Sequence, residues 1–353
     1  MMKEMTANQR WQALKAGESL DRLPITLCHA GFAAKLAGMN YRESFNTADK
    51  LAKRELTIYR EFALDALSVS YTSVNFAIRH RSKIKSPRES APSVADHALK
   101  SLDQVDQLKV EATSFDRDIS QRINLEALDK IDGAVGSKCH PCYCISAPFT
   151  LASGIYPAEK MLRATRKDKE GLHRLLRFVT DRVKEIIERA VQMPDLNFFI
   201  YDPVASGALI SPKQYRDFVL PYTKEMVDFI KAHDRCVGMH ICGDISNHLE
   251  AIVETGVDMI SLDQTVDLGQ AKEKVGQAIA LMGNVDPVRC FLQGSPEEVS
   301  QAVEDCFAKA GDNPRGFIIR SGCQLPVDTP VANVEAFMET AVPCAQKAAQ
   351  NWA

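Results

Sequence analysis

A histidine and a cysteine stand two residues apart at the end of an apolar run, in the segment His240-Ile241-Cys242-Gly243. In a β-strand, side chains two residues apart point to the same face, so His240 and Cys242 can reach one metal ion. The glycine that follows lets the backbone turn. An imidazole nitrogen and a thiolate sulfur are ligands that suit zinc. Taken alone, this short pattern fits a purely structural pair equally well.

A third candidate ligand, Cys323, lies 81 residues beyond Cys242, just after the last apolar run. It stands between Gly322 and Gln324, in a polar turn where a thiol is more accessible than in a core. Three protein ligands leave the fourth tetrahedral position of zinc open, which is typical of a catalytic site rather than a structural one. The alternative is that the three residues are unrelated and that Cys323 is a small apolar residue of a loop.

Polar residues also end other apolar runs, at positions where barrel enzymes place functional groups. Asp202 ends the run before that of His240, Asp263 ends the run after it, and Asn284 ends the next one. Each of them alone could be a helix cap or a turn residue. Because they stand at successive strand ends, we expect Asp202, Asp263 and Asn284 to contact the substrate or cofactor, or to support the metal ligands.

The densest group of thiols is Cys139, Cys142 and Cys144, in the segment CHPCYC. Their spacing could bind a second metal ion, but structural zinc usually takes four ligands and the sequence contains no second Cys-x-x-Cys pair. We therefore expect Cys142 and Cys144 to face one side of a buried strand. His29, after the first run, is predicted to be a hydrogen-bonded histidine at a strand end, although it could enter the pocket.

Eight short apolar runs alternate with longer amphipathic stretches. Most runs are continuous rather than alternating, as in strands that are buried on both faces. Thr47 is a candidate helix cap, and Ser211 followed by Pro212 favours the start of another helix. We predict strands at 24–28, 66–71, 142–146, 197–202, 236–242, 259–263, 279–284 and 316–321.

Eight strands with interposed helices favour a closed (β/α)8 barrel of the TIM type, folded as a single domain over residues 1–353. The alternative is an open doubly wound sheet, but the glycine-rich phosphate loop typical of that fold is missing after the first strand. Residues 75–110 are polar and contain Pro87 and Pro92, which indicates an inserted hairpin or loop. Residues 1–22 are predicted to form a helical extension.

The composition excludes several classes of function. Hydrophobic residues make up 45% of the chain, and the formal net charge of −3 lacks the basic excess of nucleic-acid-binding proteins. No apolar run is long enough to span a membrane, and the first residues contain no secretory signal. We therefore expect a cytoplasmic protein with no nucleic-acid or membrane partner. In that compartment its ten cysteines should be reduced thiols.

The chain from Ser146 onward resembles the uroporphyrinogen decarboxylase superfamily. Within that superfamily it is similar to the zinc-dependent methylcobamide:coenzyme M methyltransferases, whose signature is His-x-Cys followed much later by one cysteine. This resemblance implies a (β/α)8 barrel with zinc held by His240, Cys242 and Cys323. It rests on the segments SAPFTLASG, DPVASGALISPKQYRDFVLPY, MHICGDISNHLEAIVETGVDMISLDQTVDL, MGNVDP and SGCQLPVDTPVANVEAF.

The resemblance implies transfer of a methyl group between a corrinoid cobalt and a zinc-activated thiol such as coenzyme M. The sequence has no Asp-x-His-x-x-Gly cobalt-ligand motif, so we expect the methylcorrinoid to be carried by a separate corrinoid protein. One alternative is a methyltransferase that demethylates a methyl ether, amine or sulfide and loads the corrinoid protein. Others are an accessory protein with a structural metal and a uroporphyrinogen-type decarboxylase. The decarboxylase is disfavoured because the segment LCHAGFAAKLAGMN lacks the arginines that bind porphyrin carboxylates.

The ligand set also favours a thiol substrate. Zinc with two thiolates and a neutral imidazole has no net charge, and it lowers the pKa of a bound thiol below the free value of about 8.5. Water activation is better served by neutral histidines, which leave zinc a stronger Lewis acid, although alcohol dehydrogenases also use two cysteines and one histidine. The family commonly has Ala-Pro before Gly-Cys-Gly, whereas this chain has Arg320-Ser321 before Gly322-Cys323-Gln324.

Overall fold

The computed structural model describes residues 4–88, 90–108 and 118–350. At its centre is a seven-stranded sheet in which every adjacent pair of strands is parallel. Each strand pairs with the next strand of this sheet along the chain, as expected when intervening helices return the chain to the same end. The strands are, in sheet order, β1 (Ala66–Tyr71), β4 (His140–Ser146), β5 (Asn197–Tyr201), β6 (Val237–His240), β7 (Met259–Ser261), β8 (Ala280–Met282) and β9 (Phe317–Ile318).

The first predicted strand, 24–28, forms a single bridge instead of a ladder. Ile25 pairs in parallel with Ile319, and its carbonyl oxygen accepts from the backbone N–H of Asp65 at 3.0 Å. The segment thus lies between β9 and β1 and closes the sheet, which confirms the (β/α)8 barrel. A longer ladder does not form because Pro24 has no N–H and the N–H of Ile25 donates to the Asp65 carboxylate at 2.8 Å.

Helices surround the sheet and bury apolar side chains against it or against one another. The predicted caps are confirmed, since Thr47 accepts from the N–H of Lys50 and Ser211 from that of Gln214. Among the described residues, no helix is long and apolar enough to cross a membrane. The α-helices are α1 (Ala7–Ala16), α2 (Ala30–Leu36), α3 (Ala48–Phe62), α4 (Ser73–Arg79), α5 (Ile119–Val135), α6 (Pro148–Ile155), α7 (Ala158–Lys167), α8 (Lys169–Ala190), α9 (Pro212–Phe218), α10 (Leu220–Lys231), α11 (Leu249–Glu254), α12 (Leu268–Val275), α13 (Pro296–Ala310) and α14 (Val331–Gln350).

Two further strands, β2 (Lys83–Lys85) and β3 (Ser93–Asp96), form an antiparallel hairpin after α4. This hairpin confirms the predicted insertion near 75–110, of which residues 89, 109 and 110 lie outside the described residues. The remaining helical turns are short. They are the 3₁₀ segments Glu43–Phe45, Leu102–Gln107, Gly136–Lys138 and Pro203–Ala205, and the π-helical segment Pro287–Leu292.

Helix α1 is fastened to the N-terminal end of the barrel through Asp65, the residue before β1. Arg10 donates to the Asp65 carboxylate at 3.0 Å, and Arg22 donates to it as well. The indole N–H of Trp11 donates to the backbone carbonyl of Asp65 at 2.8 Å. These bonds connect residues of the predicted helical extension to the residue that precedes β1. They also supply the hydrogen-bond partners that a buried carboxylate needs.

The barrel interior is only partly filled. Along β1 the buried side chains Leu67, Val69 and Tyr71 alternate with half-buried residues that face a cavity of about 780 Å³. TIM barrels usually fill this space with large branched side chains. Here small residues leave it open, namely Ala66, Ser68, Ser70, Cys142, Cys144, Gly238 and Ala280.

Candidate metal centre

The three predicted ligands meet at the C-terminal end of the barrel. His240 is the last residue of β6, Cys242 follows it by two residues, and Cys323 comes after β9. Cys242 Sγ lies 3.4 Å from His240 Nε2 and 3.8 Å from Cys323 Sγ. The three ligand atoms all lie within 4.8 Å of one another, and no other group of three or more such side chains this close occurs in the described part of the chain.

These separations fit a zinc ion. With Zn–S bonds of about 2.3 Å and a Zn–N bond of about 2.0 Å, tetrahedral geometry places two sulfurs about 3.8 Å apart and a sulfur and a nitrogen about 3.5 Å apart. The observed distances of 3.8 Å and 3.4 Å agree with both values. Three donors leave one tetrahedral position for a further ligand. Zinc ligation by these residues stays a prediction, and the geometry supports it.

The neighbouring strand fixes the His240 ring. His240 pairs in register with Ser261 of β7, and its Nδ1 lies 3.1 Å from the Ser261 carbonyl oxygen and 3.2 Å from Ser261 Oγ. A carbonyl oxygen only accepts, so Nδ1 carries the proton and donates it. Nε2 is then left with a lone pair that faces Cys242, as a metal ligand requires. The acceptor is a backbone atom, and no sequence pattern marks it.

The thiols of Cys242 and Cys323 differ in acidity. A hydrogen bond from the Cys242 thiol lowers the pKa of Cys323 to about 4, and the same bond raises the pKa of Cys242 well above its usual range. The pair therefore gives up its first proton readily and its second one reluctantly, because two adjacent thiolates repel each other. A divalent cation between the sulfurs would offset this repulsion.

Asp263 and Asn284 brace the loop that carries Cys242. Asp263 Oδ2 accepts from the backbone N–H of Gly243 at 2.9 Å, and Asp263 Oδ1 accepts from the N–H and hydroxyl of Thr265. Gly243 has φ +79°, which favours glycine. Asn284 Nδ2 donates to the carbonyl of Asp263 at 2.9 Å. Their role in the site stays a prediction, and these contacts favour support of the ligand loop over contact with the substrate.

Asp202 lies beside the centre but points away from it. Its backbone N–H donates to the carbonyl of His240 at 3.0 Å, whereas its carboxylate Oδ1 accepts from the N–H and hydroxyl of Thr150 at 3.1 and 2.6 Å. The other carboxylate oxygen has no hydrogen-bond partner among the described residues. Burial raises the pKa of Asp202 to about 7 despite the bonds from Thr150. A direct contact with substrate or cofactor stays a prediction.

The cysteines of the segment CHPCYC lie apart from the candidate ligands. Cys142 and Cys144 both line the barrel cavity, and the buried Cys139 Sγ donates to the carbonyl of Leu64 at 3.5 Å. His29 also lines the cavity. Its Nδ1 contacts the carbonyl oxygen of Leu27 at 2.9 Å, and its Nε2 contacts the carboxylate of Glu55 at 3.0 Å. It is therefore the predicted hydrogen-bonded histidine.

Sequence reasoning missed the residues that connect the metal centre to the cavity. The ring centroids of Tyr201 and His240 lie 5.9 Å apart, and the Tyr201 hydroxyl lies 3.7 Å from Cys28 Sγ. Cys28 Sγ in turn lies 3.1 Å from the side-chain amide of Gln324, the residue after Cys323. The available signal was the alternation of small polar residues along β1, which indicates an unfilled barrel interior.

The sequence model of the uroporphyrinogen decarboxylase family matches residues 6–342. A methylcobamide:CoM methyltransferase from Methanosarcina acetivorans is 28% identical over 345 residues, which cover 96% of this chain and 98% of that protein. A uroporphyrinogen decarboxylase from Hordeum vulgare is 32% identical over 225 residues, which cover 61% of this chain and 66% of that protein. Similarity to the methyltransferase thus extends over far more of the chain.

The fold has a solved counterpart. The structure of a methyltransferase from Methanosarcina mazei matches with a TM-score of 0.83 at 22% identity, over 96% of this chain and 98% of that one. This match agrees with the barrel described above. Since the family model spans nearly all of the sequence, the chain belongs to the uroporphyrinogen decarboxylase family.

Proposed function

We propose that the chain is a zinc-dependent methyltransferase that moves a methyl group between a methylated corrinoid, carried by a separate protein, and a thiol such as coenzyme M. The observation that carries the proposal is the convergence of His240, Cys242 and Cys323 at the separations of a tetrahedral zinc site. The nearly full-length similarity to a methylcobamide:CoM methyltransferase supports the class of reaction. The corrinoid protein would approach the C-terminal end of the barrel, where the three donors lie.

Each of the surrounding residues has a task in this proposal. Zinc bound by the three donors would lower the pKa of a substrate thiol and keep its sulfur reactive near neutral pH. The carbonyl of Ser261 keeps Nδ1 of His240 protonated, so that Nε2 is available as a donor. Asp263 holds the turn after Cys242 through the N–H of Gly243. A site fixed by backbone pairing in this way needs little rearrangement to bind its metal.

Decarboxylation of a porphyrin-like acid is supported less well. The segment LCHAGFAAKLAGMN, which should carry the carboxylate-binding arginines, supplies Cys28, His29 and Ala30 to the cavity wall. None of these residues is an arginine. The donors at the end of the barrel are thiols and an imidazole, which suit a soft metal-bound sulfur better than they suit proton transfer to a pyrrole.

The test measures methyl transfer through the change in the absorbance of the cobalt centre. Zinc-loaded protein is mixed with methylcob(III)alamin and a panel of thiols, and we expect loss of the methylcobalt spectrum with formation of the methyl thioether. Cys323→Ser and His240→Ala should abolish the reaction. Cys344→Ser is the matched control, since Cys344 lies on α14 outside the group of three donors, and it should keep full activity.

Two other outcomes would change the conclusion. If no thiol is methylated, but a methyl ether, amine or sulfide methylates reduced cobalamin, the enzyme loads the corrinoid instead of unloading it. If neither direction occurs and the Cys323→Ser protein behaves like the unmodified one, the proposal is wrong.

A further inference from the structure

A buried arginine borders the barrel cavity below the metal centre. Arg320 follows β9, and its side chain is only 6% exposed. Its guanidinium carbon lies 5.1 Å from the centroid of the Phe199 ring, and its Nε has no hydrogen-bond partner among the described residues. Three other residues of the cavity wall lie near it, namely Tyr201, Cys28 and Cys144.

None of these neighbours is a carboxylate. Tyr201 and Cys28 carry a phenol and a thiol, which in their ordinary state are neutral groups near pH 7. Within the described ranges, no carboxylate oxygen lies within 4.0 Å of a guanidinium nitrogen of Arg320, so Arg320 forms no ion pair there. A cation withdrawn from water without a counter-ion is strongly unfavourable, so this position calls for an anion.

The acidic groups of the cavity wall are committed elsewhere. Glu55 accepts from His29 at 3.0 Å and from Arg54 at 2.8 Å, so its charge is already shared. The other acidic residues of the wall, such as Asp195 and Asp258, precede β5 and β7 and therefore lie at the opposite end of the barrel from Arg320. A bound anion can therefore supply the counter-charge for Arg320.

The cavity next to Arg320 is within reach of the metal centre. Tyr201 contacts both regions, since it lies beside the Arg320 guanidinium and its ring centroid is 5.9 Å from that of His240. Cys28 lies 3.7 Å from the Tyr201 hydroxyl and 3.1 Å from the amide of Gln324, next to Cys323. Tyr201, Cys28 and Gln324 thus line the cavity beside Arg320 and also adjoin the candidate ligands, so the two regions share one wall. The cavity volume of about 780 Å³ easily accommodates a small organic molecule.

We propose that Arg320 binds the carboxylate or sulfonate group of the small substrate whose sulfur reaches the metal centre. The planar guanidinium donates to two oxygens of such a group at once, which gives both strength and orientation. Phe199 and Met282, which line the same cavity, would contact the short alkyl chain between the sulfur and the anion. The identity of the reacting sulfur rests on the proposed function, whereas the anion site does not.

The experiment compares thiols of matched length and different charge by isothermal titration calorimetry on the zinc-loaded protein. We expect the dissociation constants of 3-mercaptopropionate and 2-mercaptoethanesulfonate to be at least about tenfold lower than that of 2-mercaptoethanol. Cysteamine should bind most weakly. In Arg320→Gln this preference should vanish while the affinity for 2-mercaptoethanol stays the same. Arg320→Lys should retain part of it. The control is Arg315→Gln, because Arg315 borders the cavity from the other end of β9.

Ligands without a thiol separate this proposal from the proposed function. Propionate and ethanesulfonate should raise the melting temperature of the unmodified protein, whereas propionamide should not, and this comparison needs no variant to fold. If these anions stabilise the protein and no thiol perturbs the zinc, the anion site stands and the thiol reaction fails. If all thiols bind equally, whatever their charge, and Arg320→Gln changes nothing, the anion site is wrong and the reaction stands.

Discussion

The backbone N–H of Gly243 donates to the carboxylate of Asp263 at 2.9 Å, which ties the turn after Cys242 to the end of β7. The same carboxylate also accepts two bonds from Thr265. Both of its oxygens are therefore used to hold main chain and side chain near the metal centre. Such partners of ligand-bearing loops tune metal affinity without touching the metal.

Removing this brace should loosen the metal. In Asp263→Ala the turn after Cys242 loses its acceptor, so zinc affinity should fall by about 10- to 100-fold. Asp263→Asn should lose less, because its amide oxygen still accepts from Gly243. Competition with a chromophoric chelator measures both affinities, and circular dichroism confirms that the variants are folded. Unchanged affinity in Asp263→Ala would show that the brace has no bearing on the metal.

Metal content tests the ligand set directly. The purified protein should hold about one zinc ion per chain, and Cys323→Ser should lose most of it because one of three donors is gone. Cys139→Ser and Cys142→Ser are matched controls, and they should keep the full stoichiometry. Inductively coupled plasma mass spectrometry provides the measurement. Half the metal in either control would reveal a second site, and full metal in Cys323→Ser would refute the three-donor centre.

Binding of a thiol to the metal centre should release a proton. A thiol that enters the zinc-loaded centre near neutral pH is expected to release close to one proton per site, because the bound form is the thiolate. Zinc X-ray absorption should show one more sulfur neighbour at about 2.3 Å. His240→Ala should weaken both signals. Calorimetry in two buffers of different ionisation enthalpy counts the protons, and a count of zero over the whole panel argues against a thiol acceptor.

Asp202 should make stability depend on pH. Its pKa is raised from 3.8 to about 7 by burial, so between these values the folded chain keeps a proton that the unfolded chain has lost. The free energy of unfolding therefore falls as the pH rises through this interval and levels off above about pH 7. Asp202→Asn removes the contribution, which is roughly 4 kcal/mol at most. Urea unfolding at several pH values should show a flatter profile for Asp202→Asn, and parallel profiles would contradict the assignment.

The sequence was most informative where chemistry depends on local spacing. Seven of the eight apolar runs form strands of the sheet, since continuous burial on both faces leaves a clear pattern. The pairing of His240 and Cys242 follows from the two-residue period of a strand. Cys323 was found through its glycine-flanked turn and through the family resemblance, and the structure brings all three donors together.

Long-range contacts account for what could not be predicted. The run at 24–28 forms one bridge because a carboxylate forty residues away, Asp65, takes the N–H of Ile25. The local sequence pattern gives no sign of that hydrogen bond. Likewise Asp263 and Asn284 turn toward the backbone of neighbouring loops, and the isolated charge of Arg320 becomes evident only when the residues around it are known.

The closing segment of the barrel has a consequence for biosynthesis. The N–H of Cys28 donates to the hydroxyl of Ser321, a residue 293 positions later in the sequence. The segment 24–28 therefore leaves the ribosome long before β9 and Ser321, with which it closes the barrel, have been synthesised. Until then the segment 24–28 is left at an open edge, and such edges attract other extended chains. Completion of the barrel is consequently one of the last events in the folding of this molecule, and a chaperone that shields the segment 24–28 would act during that interval.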